Sequence, residues 1–315
     1  MSLNISKLKD KNTTIILHAS DIKLSYNHII YWLPALIELN MPFTILLRDK
    51  KNYYRLTSEY PDLQICYAKA PIDVEKVIKS HPNVKAILYP SNREKNIHLL
   101  RFIEPKHIFI GSKNFEQTFK LSKSYRAYDE IWVSGKYMLD KFENFFEDLG
   151  HLNIKIIGKP FFKHIIDKSK KKDVSPLKKV QISYEIKHNN PQSLSAIMNK
   201  LIPWLKKDYV LFLDREIQDE EIQCLITDID SFLYNMFVYN VPILIFGTKE
   251  LFIEKYDKYF AEGIYFFTSC EQCKDILSKI EIDDRLKSNR NDVLDYYIDI
   301  DSTLQNSFLK EIINV

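Results

Sequence analysis

A repeated alternation between short apolar runs and longer amphipathic stretches constrains the fold of this chain more than any other feature. The runs TTIILH at 13–18 and FTILL at 43–47 are apolar and rich in β-branched residues, as buried strands are. Between them, residues 25–39 carry apolar side chains at helical spacing. Strands that alternate with helices build βαβ units, in which the strands are parallel. The pattern therefore predicts an α/β chain with doubly wound parallel sheets.

The alternation continues along the chain and locates the remaining elements. In the first half it predicts further strands at 63–67, 86–89, 107–110, 129–133 and 155–157. The helices predicted there are 72–80, 96–102 and 137–149. In the second half it predicts strands at 180–184, 209–213, 224–226, 242–246 and 263–267. The helices predicted in that half are 193–206, 231–239, 251–260, 271–280 and 302–313.

A charged segment interrupts the alternation near the middle of the chain. Residues 167–179 (DKSKKKDVSPLKK) contain a proline and no hydrophobic period, which indicates a linker. A chain of 315 residues is also long enough for two domains of about 150 residues each. We therefore expect one Rossmann-like domain at 1–166 and a second at 180–300. The C-terminal helix at 301–315 is expected to pack back onto the first domain.

The charge balance and the hydropathy exclude several kinds of protein. The chain has 45 Lys and Arg against 42 Asp and Glu, and 45% of its residues are apolar. This composition is unlike that of a disordered chain and supplies no strongly basic face for nucleic acid. The first eleven residues are polar and no run of 18 apolar residues occurs, so neither a secretory signal nor a membrane span is expected. We expect a cytoplasmic protein that binds no nucleic acid, and a peripheral association with the inner face of the cell membrane stays open.

The four cysteines point to no metal centre. Cys270 and Cys273 form a C-x-x-C pair, but no second pair of cysteines or histidines completes a zinc site in the sequence. Free thiols are therefore expected, and no residue is assigned to a metal.

Polar residues follow the predicted strands at the edge where parallel sheets bind ligands. This edge lies beyond the carboxyl ends of the strands. It places His18, Ser20 and Asp21 after the first strand. Residues 90–93 and 111–116 follow two later strands in the same way.

The segment TDIDS at 227–231 follows a strand and precedes a predicted helix. Free backbone N–H groups at the start of that helix would suit a phosphate. Alternatively, Asp228, Asp230 or Ser231 caps the helix in the ordinary way, because these residue types are preferred at that position. Both interpretations stay open from this segment alone.

Several ordered segments resemble one family of transferases. They are the WLP-containing stretch 25–48, YPSNREKNIHLLR at 89–101, HIFIG at 107–111, YDEIWVSG at 128–135, Gly158-Lys159-Pro160, and the T-D-x-x-S turn at 227–231. Together they are similar to motifs of the CDP-glycerol glycerophosphotransferase family, the teichoic-acid polymerase-like GT-B transferases. The resemblance covers residues 13–165 and, less fully, 220–260.

The resemblance implies a fold and an activity. Members of the family have two Rossmann-like domains facing across a cleft, the first on the acceptor side and the second binding a CDP-activated alcohol. They transfer a phosphopolyol unit to a hydroxyl of a growing cell-surface polymer. The resemblance thus implies a nucleotide donor as substrate, a polysaccharide or polyol-phosphate acceptor, and no further cofactor. By position, it assigns donor and phosphate binding to Asn96, Arg101, Thr227, Asp228 and Ser231.

The chain departs from the family at the catalytic segment. After the strand at 107–110 the family has a His-Gly stretch whose His is a candidate general base, and Ser112 stands there in this chain. A serine with no adjacent base cannot accept a proton at neutral pH. Carboxylates and imidazoles near the predicted sheet edge could replace the missing base, and for each a packing or surface role is the alternative. These candidates are Glu116, His18, Asp21 and His98.

Two functions therefore stay open. One is an active transferase of the CDP-glycerol type, or a relative with another nucleotide-activated donor, in the assembly of a capsule polysaccharide or a teichoic-acid-like polymer. The other is a catalytically lapsed homologue that binds a nucleotide or a partner protein. An unrelated two-domain binding protein would not be expected to carry the ordered motifs.

Overall fold

The computed structural model of this protein describes residues 12–21, 23–112, 120–150, 152–170, 179–183, 194–213 and 222–314. Contacts between residues divide the chain into two units, Met1–Phe161 with Asp301–Val315, and Phe162–Ile300. Each unit contains one parallel sheet, so the α/β fold class predicted from the sequence is confirmed.

The first unit is built on a sheet with Rossmann-type strand order. Its described strands are Ile15–Ala19 (β1), Phe43–Leu47 (β2), Ile65–Tyr67 (β3), Ala86–Tyr89 (β4), Lys106–Phe109 (β5), Glu130–Val133 (β6) and Asn153–Ile156 (β7). They lie in the order β3-β2-β1-β4-β5-β6-β7, and every neighbouring pair is parallel. The order reverses between β1 and β4, so the carboxyl ends of these two strands mark the topological switch point where such sheets bind ligands.

Helices connect these strands, and one of them was not predicted from the sequence. The described helices are Ser25–Glu38 (α1), Lys50–Glu59 (α2), Pro71–Ser80 (α3), Ile97–Leu100 (α4) and Lys136–Phe145 (α5). The unpredicted helix, α2, is strongly polar and buries only Asn52 and Leu56, so it shows no hydrophobic period. Asp49 caps its start by accepting the Asn52 N–H at 2.8 Å.

The second unit has a smaller sheet with a different strand order. Its described strands are Lys179–Ser183 (β8), Val210–Leu213 (β9), Cys224–Asp228 (β10), Ile243–Phe246 (β11) and Tyr265–Phe267 (β12). They lie in the order β12-β11-β10-β8-β9, and every neighbouring pair is parallel. Here the order reverses between β8 and β10, which again is where a ligand is expected.

The described helices of the second unit are Lys163–Lys170 (α6), Leu194–Asp208 (α7), Lys249–Lys255 (α8), Cys270–Ile282 (α9) and Lys287–Ile298 (α10). Among them, α7 and α9 cover the core that contains Val180, Ile226 and Leu244. No helix in the described part of the chain is long and apolar enough to cross a membrane.

The boundary between the units lies at Phe161–Phe162 rather than within the predicted linker at 167–179. The reason is that α6 begins at Lys163 and contacts the 3₁₀ helix Tyr234–Tyr239 of the second unit. Residues 167–170 are therefore helical. The next eight residues of the predicted linker lie outside the described residues.

The C-terminal segment belongs to the first unit. It forms two helices, Ile300–Leu304 (α11) and Ser307–Ile313 (α12), in place of the single helix predicted at 302–313. Asn306 separates them in the left-handed conformation, with φ of 54°. Phe308 lies in the core of the unit, its ring centroid 5.0 Å from that of Trp32 and 5.8 Å from that of Trp132.

Gly158 is required where the C-terminal segment approaches the first sheet. Its φ is +69°, and a Cβ placed on it would lie 2.3 Å from Thr303 Oγ1 and 2.5 Å from the Thr303 backbone N. Thr303 Oγ1 accepts the backbone N–H of Lys159 at 2.9 Å. Gly158 and Lys159 thus hold Thr303 of α11 against the segment that follows β7.

The four cysteines are buried free thiols. Burial raises the pKa of both Cys66 and Cys273 to about 12. These groups are therefore protonated at neutral pH, and the thiol is neither the nucleophilic nor the metal-binding form.

Candidate functional site

The carboxyl ends of β2, β1 and β4 bring a set of polar residues together in the first unit. The loop after β1 supplies Ser20 and Asp21, and Arg48 follows β2 directly. The loop after β4 supplies Ser91 and Asn96. All five are buried, although polar groups are expensive to bury without partners. We call this set of loops the first edge.

A hydrogen-bonded network joins the loops of the first edge. Ser20 Oγ donates to Asn96 Oδ1 at 2.7 Å. The Asn96 amide donates in turn to the Ser91 carbonyl at 2.8 Å and to the Tyr128 hydroxyl at 2.9 Å. The Tyr128 hydroxyl donates in turn to Asn92 Oδ1 at 3.0 Å. A buried network in which each amide atom is satisfied holds the loops in one arrangement.

Asp21 is held as an ionised carboxylate within this edge. Its Oδ1 accepts the backbone N–H groups of Lys23 and Leu24, both at 2.9 Å, and its Oδ2 forms an ion pair with Arg93. Burial on its own would raise the pKa of Asp21, but the Leu24 N–H and the Arg93 guanidinium outweigh it and lower the pKa below the ordinary value. A carboxylate so fully engaged orients its neighbours rather than accepting a substrate proton.

His18 is a predicted candidate base that the fold shields. Its side chain is fully buried, and its ring stands edge-on to that of Tyr89 with the centroids 5.6 Å apart. Among the described residues, neither ring nitrogen has a hydrogen-bond partner. Burial, assisted by the charge of Arg48 and by His98, lowers the pKa of His18 well below its ordinary value. His18 is therefore a neutral imidazole, and it is shielded from solvent.

His98 lies at the same edge and contacts a buried arginine. The Arg48 guanidinium lies with Nη2 3.0 Å from Nδ1 of His98. Burial, followed by the charges of Arg48, Arg101 and Lys95, lowers the pKa of His98. His98 is half-buried and thus accessible from solvent.

The other two residues of the N-x-H-x-L-R segment take different positions. Asn96 is the centre of the buried network, whereas Arg101 pairs with Glu75 of α3 at 3.2 Å. The Arg101 guanidinium also lies 4.9 Å from the centroid of the Phe102 ring. Half of its side chain is exposed, which leaves its remaining N–H groups in water.

Glu116 lies outside the described residues. Ser112, which stands at the position of the family's His, lines a small cavity together with Trp32, Ser134 and Lys159. Trp32 Nε1 donates to the Gly111 carbonyl at 2.8 Å and so closes one side of it. Lys159 is only 3% exposed. A charged side chain therefore lies buried near the ends of β5, β6 and β7.

The turn after β10 differs from the prediction. No α-helix begins at Ser231; a turn at 229–231 is followed by the 3₁₀ helix Tyr234–Tyr239. Asp228 Oδ1 accepts the backbone N–H of Ser231 at 2.7 Å. Both interpretations of this segment supposed a helix at Ser231, which the structure does not form; Asp228 instead closes the turn by engaging the Ser231 N–H.

Aromatic packing explains why the helix does not form there. The ring of Phe232 lies with its centroid 5.0 Å from that of Phe252, and Tyr234 stacks on Phe260 at 4.1 Å. Both rings are buried, and the burial of a large aromatic side chain outweighs a local helix preference. The spacing of apolar residues at 231–239 thus reflects the packing of these rings and not an α-helix.

Asp230 is balanced by a lysine of α8. Lys255 Nζ lies 2.9 Å from Asp230 Oδ1, and the Tyr256 hydroxyl donates to the Ile229 carbonyl at 2.9 Å. Gly247, with φ of +141°, lets the loop after β11 approach this turn, since a Cβ there would lie 2.5 Å from Ile229 Cδ1. We call residues 227–231 with Gly247 and Lys255 the second edge; its Ser231 N–H and Asp230 carboxylate are engaged within the protein.

His28 is a residue of the first edge that sequence reasoning missed. It lies in the first turn of α1 and is 7% exposed, and neither of its ring nitrogens has a hydrogen-bond partner in the described part of the chain. Burial is the main cause that lowers its pKa to about 4; the Asp21 carboxylate opposes this shift and Arg93 adds to it. Its position three residues after Ser25 is the signal that could have found it, because helical side chains point back toward the N-terminus and thus toward the loop after β1.

The fold defined by the two sheets is the GT-B type, and solved structures share it over nearly the whole chain. The wall teichoic acid polymerase TagF with CDPG aligns at a TM-score of 0.54 and 12% identity, covering 98% of this chain and 89% of its own. A UDP-N-acetylglucosamine 2-epimerase from Listeria monocytogenes aligns at 0.61 and 10%, covering 96% of each chain. The UDP-GlcNAc 2-epimerase from Neisseria meningitidis, bound to UDP-GlcNAc, aligns at 0.58 and 10%, covering 96% of this chain and 99% of its own. No protein-family model matches the sequence, and no curated protein matches it.

Proposed function

We propose that this protein is a transferase that takes a phosphopolyol or sugar unit from a nucleotide-activated donor and passes it to a hydroxyl of a cell-surface polymer. One observation carries the proposal: the GT-B fold aligns over 96–98% of the chain with a polymerase solved with CDPG and an epimerase bound to UDP-GlcNAc. The ordered motifs that resemble the CDP-glycerol glycerophosphotransferase family support the same donor chemistry.

We assign the phosphates of the donor to the second edge, where Thr227, Asp228 and Ser231 correspond in position to the family's pyrophosphate turn. Asn96 and Arg101 correspond to the family's N-x-H-x-L-R segment; in this structure Asn96 is the centre of a buried network, and Arg101 pairs with Glu75. For the turn to bind a phosphate, Ser231 must present its hydroxyl, because Asp228 engages its backbone N–H. Lys255 pairs with Asp230 at 2.9 Å, so it supplies positive charge to a pyrophosphate only when this ion pair opens.

In the reaction, the acceptor hydroxyl oxygen forms a bond to the phosphorus that carries the polyol. The bond from that phosphorus to the nucleoside monophosphate breaks, and the nucleotide leaves. The hydroxyl proton passes to a base. Because His18 is shielded, Asp21 is fully engaged and burial lowers the pKa of His28 to about 4, we assign the base to Glu116.

A thermal-shift panel of CDP-glycerol, CDP-ribitol, CMP, UDP-glucose and UDP-GlcNAc tests the donor. A donor at 100 times its dissociation constant adds about 2.7 kcal/mol to the free energy of unfolding, and we expect one nucleotide-activated compound to exceed its free monophosphate. Release of the nucleotide in the presence of a polyol-phosphate acceptor, CMP from a CDP-alcohol or UDP from a UDP-sugar, then tests transfer. No stabilisation by any member of the panel would contradict the proposal.

A second candidate function is a lapsed homologue that binds a nucleotide without turnover. Two observations favour it, namely Ser112 in place of the family's His and the engagement of the Ser231 N–H by Asp228. The same panel separates the two candidates. Stabilisation by a donor with no release of its nucleotide favours the lapsed homologue.

A further inference from the structure

The hydrogen bond between Arg48 and His98 has only one possible direction. A guanidinium has five N–H groups and no acceptor, so Arg48 Nη2 must donate and His98 Nδ1 must accept across the 3.0 Å that separates them. A ring nitrogen that accepts carries no proton. His98 is therefore the tautomer protonated at Nε2.

Arg48 is held firmly enough to impose this tautomer. Its Nε donates to the Ala68 carbonyl at 2.6 Å, and Nη2 also donates to the Lys69 carbonyl at 2.9 Å. The side chain is 4% exposed. Both carbonyls belong to the segment between β3 and α3, so the guanidinium bridges two loops of the first edge and offers His98 a fixed donor.

The Nε2–H group of His98 is the side of the ring that a ligand can reach. Among the described residues, Nε2 has no hydrogen-bond partner, and the side chain is only half-buried. A neutral imidazole in this orientation donates one hydrogen bond and cannot accept a proton at Nδ1 without displacing Arg48. This arrangement binds an oxygen; it does not act as a general base.

The charges around His98 select an anionic oxygen. Arg48, Lys95 and Arg101 all act on the ring. The acidic groups of the neighbouring helix α3 are committed elsewhere, since Asp73 accepts the Ala70 N–H at 3.1 Å and Glu75 pairs with Lys79 and Arg101. The surroundings of the Nε2–H group are therefore positive on balance.

We propose that His98 binds a phosphoryl oxygen of the substrate through Nε2–H, and that Arg48 is a positioning residue that fixes the tautomer. The assignment rests on the proposed function only for the class of ligand, a phosphate ester. It differs from the role of general base that the sequence suggested for His98. The binding of the oxygen needs no change of protonation, so it persists across the neutral pH range.

Long-range ¹H–¹⁵N correlation spectra of the full-length protein with ¹⁵N-labelled histidine test the tautomer without any turnover. At pH 7.5 we expect the His98 ring, assigned by its loss in His98→Gln, to show an unprotonated Nδ1 and a protonated Nε2. An Nδ1-protonated tautomer, or an imidazolium, overturns the proposal. In Arg48→Lys we expect the two tautomers to mix, and an unchanged tautomer in that folded variant overturns the role of Arg48.

Titration with inorganic phosphate and pyrophosphate tests the ligand. We expect the His98 Nε2 signal to shift on titration, His98→Ala to weaken binding about tenfold, and His98→Gln to recover part of it through its amide N–H. His164→Gln, at an exposed histidine of the second unit, is the matched control and should bind as the unmodified chain does. If neither anion moves the His98 signal, the proposal fails. If His98 is protonated at Nε2 and binds the anion but no transfer is detected, the proposed function is overturned and the His98 site is retained.

Discussion

The first edge and the second edge differ in how far their polar groups find partners within the protein. At the first edge, Asn96 joins three loops through hydrogen bonds, while the buried rings of His18 and His28 have no hydrogen-bond partner among the described residues. At the second edge, Asp228 engages the Ser231 backbone and Lys255 balances Asp230. Buried polar atoms without a partner are rare in folded proteins. The first edge therefore holds buried imidazoles that the described part of the chain leaves unsatisfied, whereas at the second edge the Ser231 N–H and the Asp230 carboxylate are engaged.

The largest expected effect is an acid sensitivity confined to the first unit. Burial lowers the pKa of His28 to about 4 and that of His18 well below its ordinary value. Between about pH 6.5 and 4 the unfolded chain therefore binds more protons, and the free energy of unfolding falls as the pH falls through this window. At about 1.4 kcal/mol per pH unit, His28 alone contributes about 3 kcal/mol. The described histidine of the second unit, His164, is exposed.

Tryptophan fluorescence separates the two units in this experiment. Trp32 and Trp132 belong to the first unit and Trp204 to the second, so urea unfolding of Trp204→Phe at pH 7.5 and pH 5 follows the first unit alone. The slope of the free energy of unfolding against pH counts the protons taken up on unfolding. We expect His28→Gln to reduce this slope by the equivalent of about one proton. A loss of stability of the first unit at pH 5 that His28→Gln leaves unchanged would contradict the prediction.

The next largest effect is expected from the hydrogen-bonded network of the first edge. Asn96→Ala removes three hydrogen bonds and leaves the Ser20 and Tyr128 hydroxyls buried without their amide partner. We expect a loss of about 2–3 kcal/mol in the free energy of unfolding, measured in urea. Asn92→Ala, at the more exposed end of the same network, is the matched control and should cost under about 1 kcal/mol. Equal losses in the two variants would show that the network does not depend on its centre.

The strands of both sheets could be predicted from the sequence because buried parallel strands are short, continuous apolar runs. Phe43–Leu47 and Ala86–Tyr89 begin and end at the predicted residues. The helix Lys50–Glu59 could not be predicted in this way, since it buries too little to show a period. The helix expected from Ser231 was wrong because the aromatic rings of Phe232 and Tyr234 pack into the core.

Much less of the candidate site could be predicted than of the fold. The rule for parallel sheets placed His18 and Asp21 at the first edge, but it could not say that one would be shielded and the other engaged by three donors. The tautomer of His98 depends on Arg48, which is 50 residues away in the chain. Such pairings arise from the arrangement of loops around a sheet, which no local pattern in the sequence records.

A smaller effect is expected at the second edge, from the close approach of its two loops. Gly247→Ala places a Cβ 2.5 Å from Ile229 Cδ1 and keeps φ at +141°, which an L-residue rarely adopts. The end of the isoleucine side chain can move aside, so most of the cost is backbone strain, about 1–2 kcal/mol. Urea unfolding followed by Trp204 fluorescence measures it. The control is Gly150→Ala, at an exposed glycine whose φ of +58° is also left-handed. Its added Cβ would contact nothing closer than 3.9 Å, so this variant measures backbone strain without a close contact between loops.

The smallest effect on stability, and the sharpest test of the comparison, is expected from Asp230→Ser. The ion pair with Lys255 has side chains 38% and 45% exposed, and pairs of this kind contribute about 0–1 kcal/mol. Stability should therefore change little, whereas the carboxylate that repels a phosphate is removed and Lys255 becomes available to it. We expect CDP-glycerol or pyrophosphate to bind several-fold more tightly in calorimetric titration, with the gain diminishing as salt is raised. Asp257→Ser, which removes a charge from the cap of a neighbouring 3₁₀ helix, is the matched control and should leave the affinity unchanged. If Asp230→Ser and the control behave alike, the second edge is not closed by its own charges, and the engaged Ser231 N–H alone must account for the difference between the two edges.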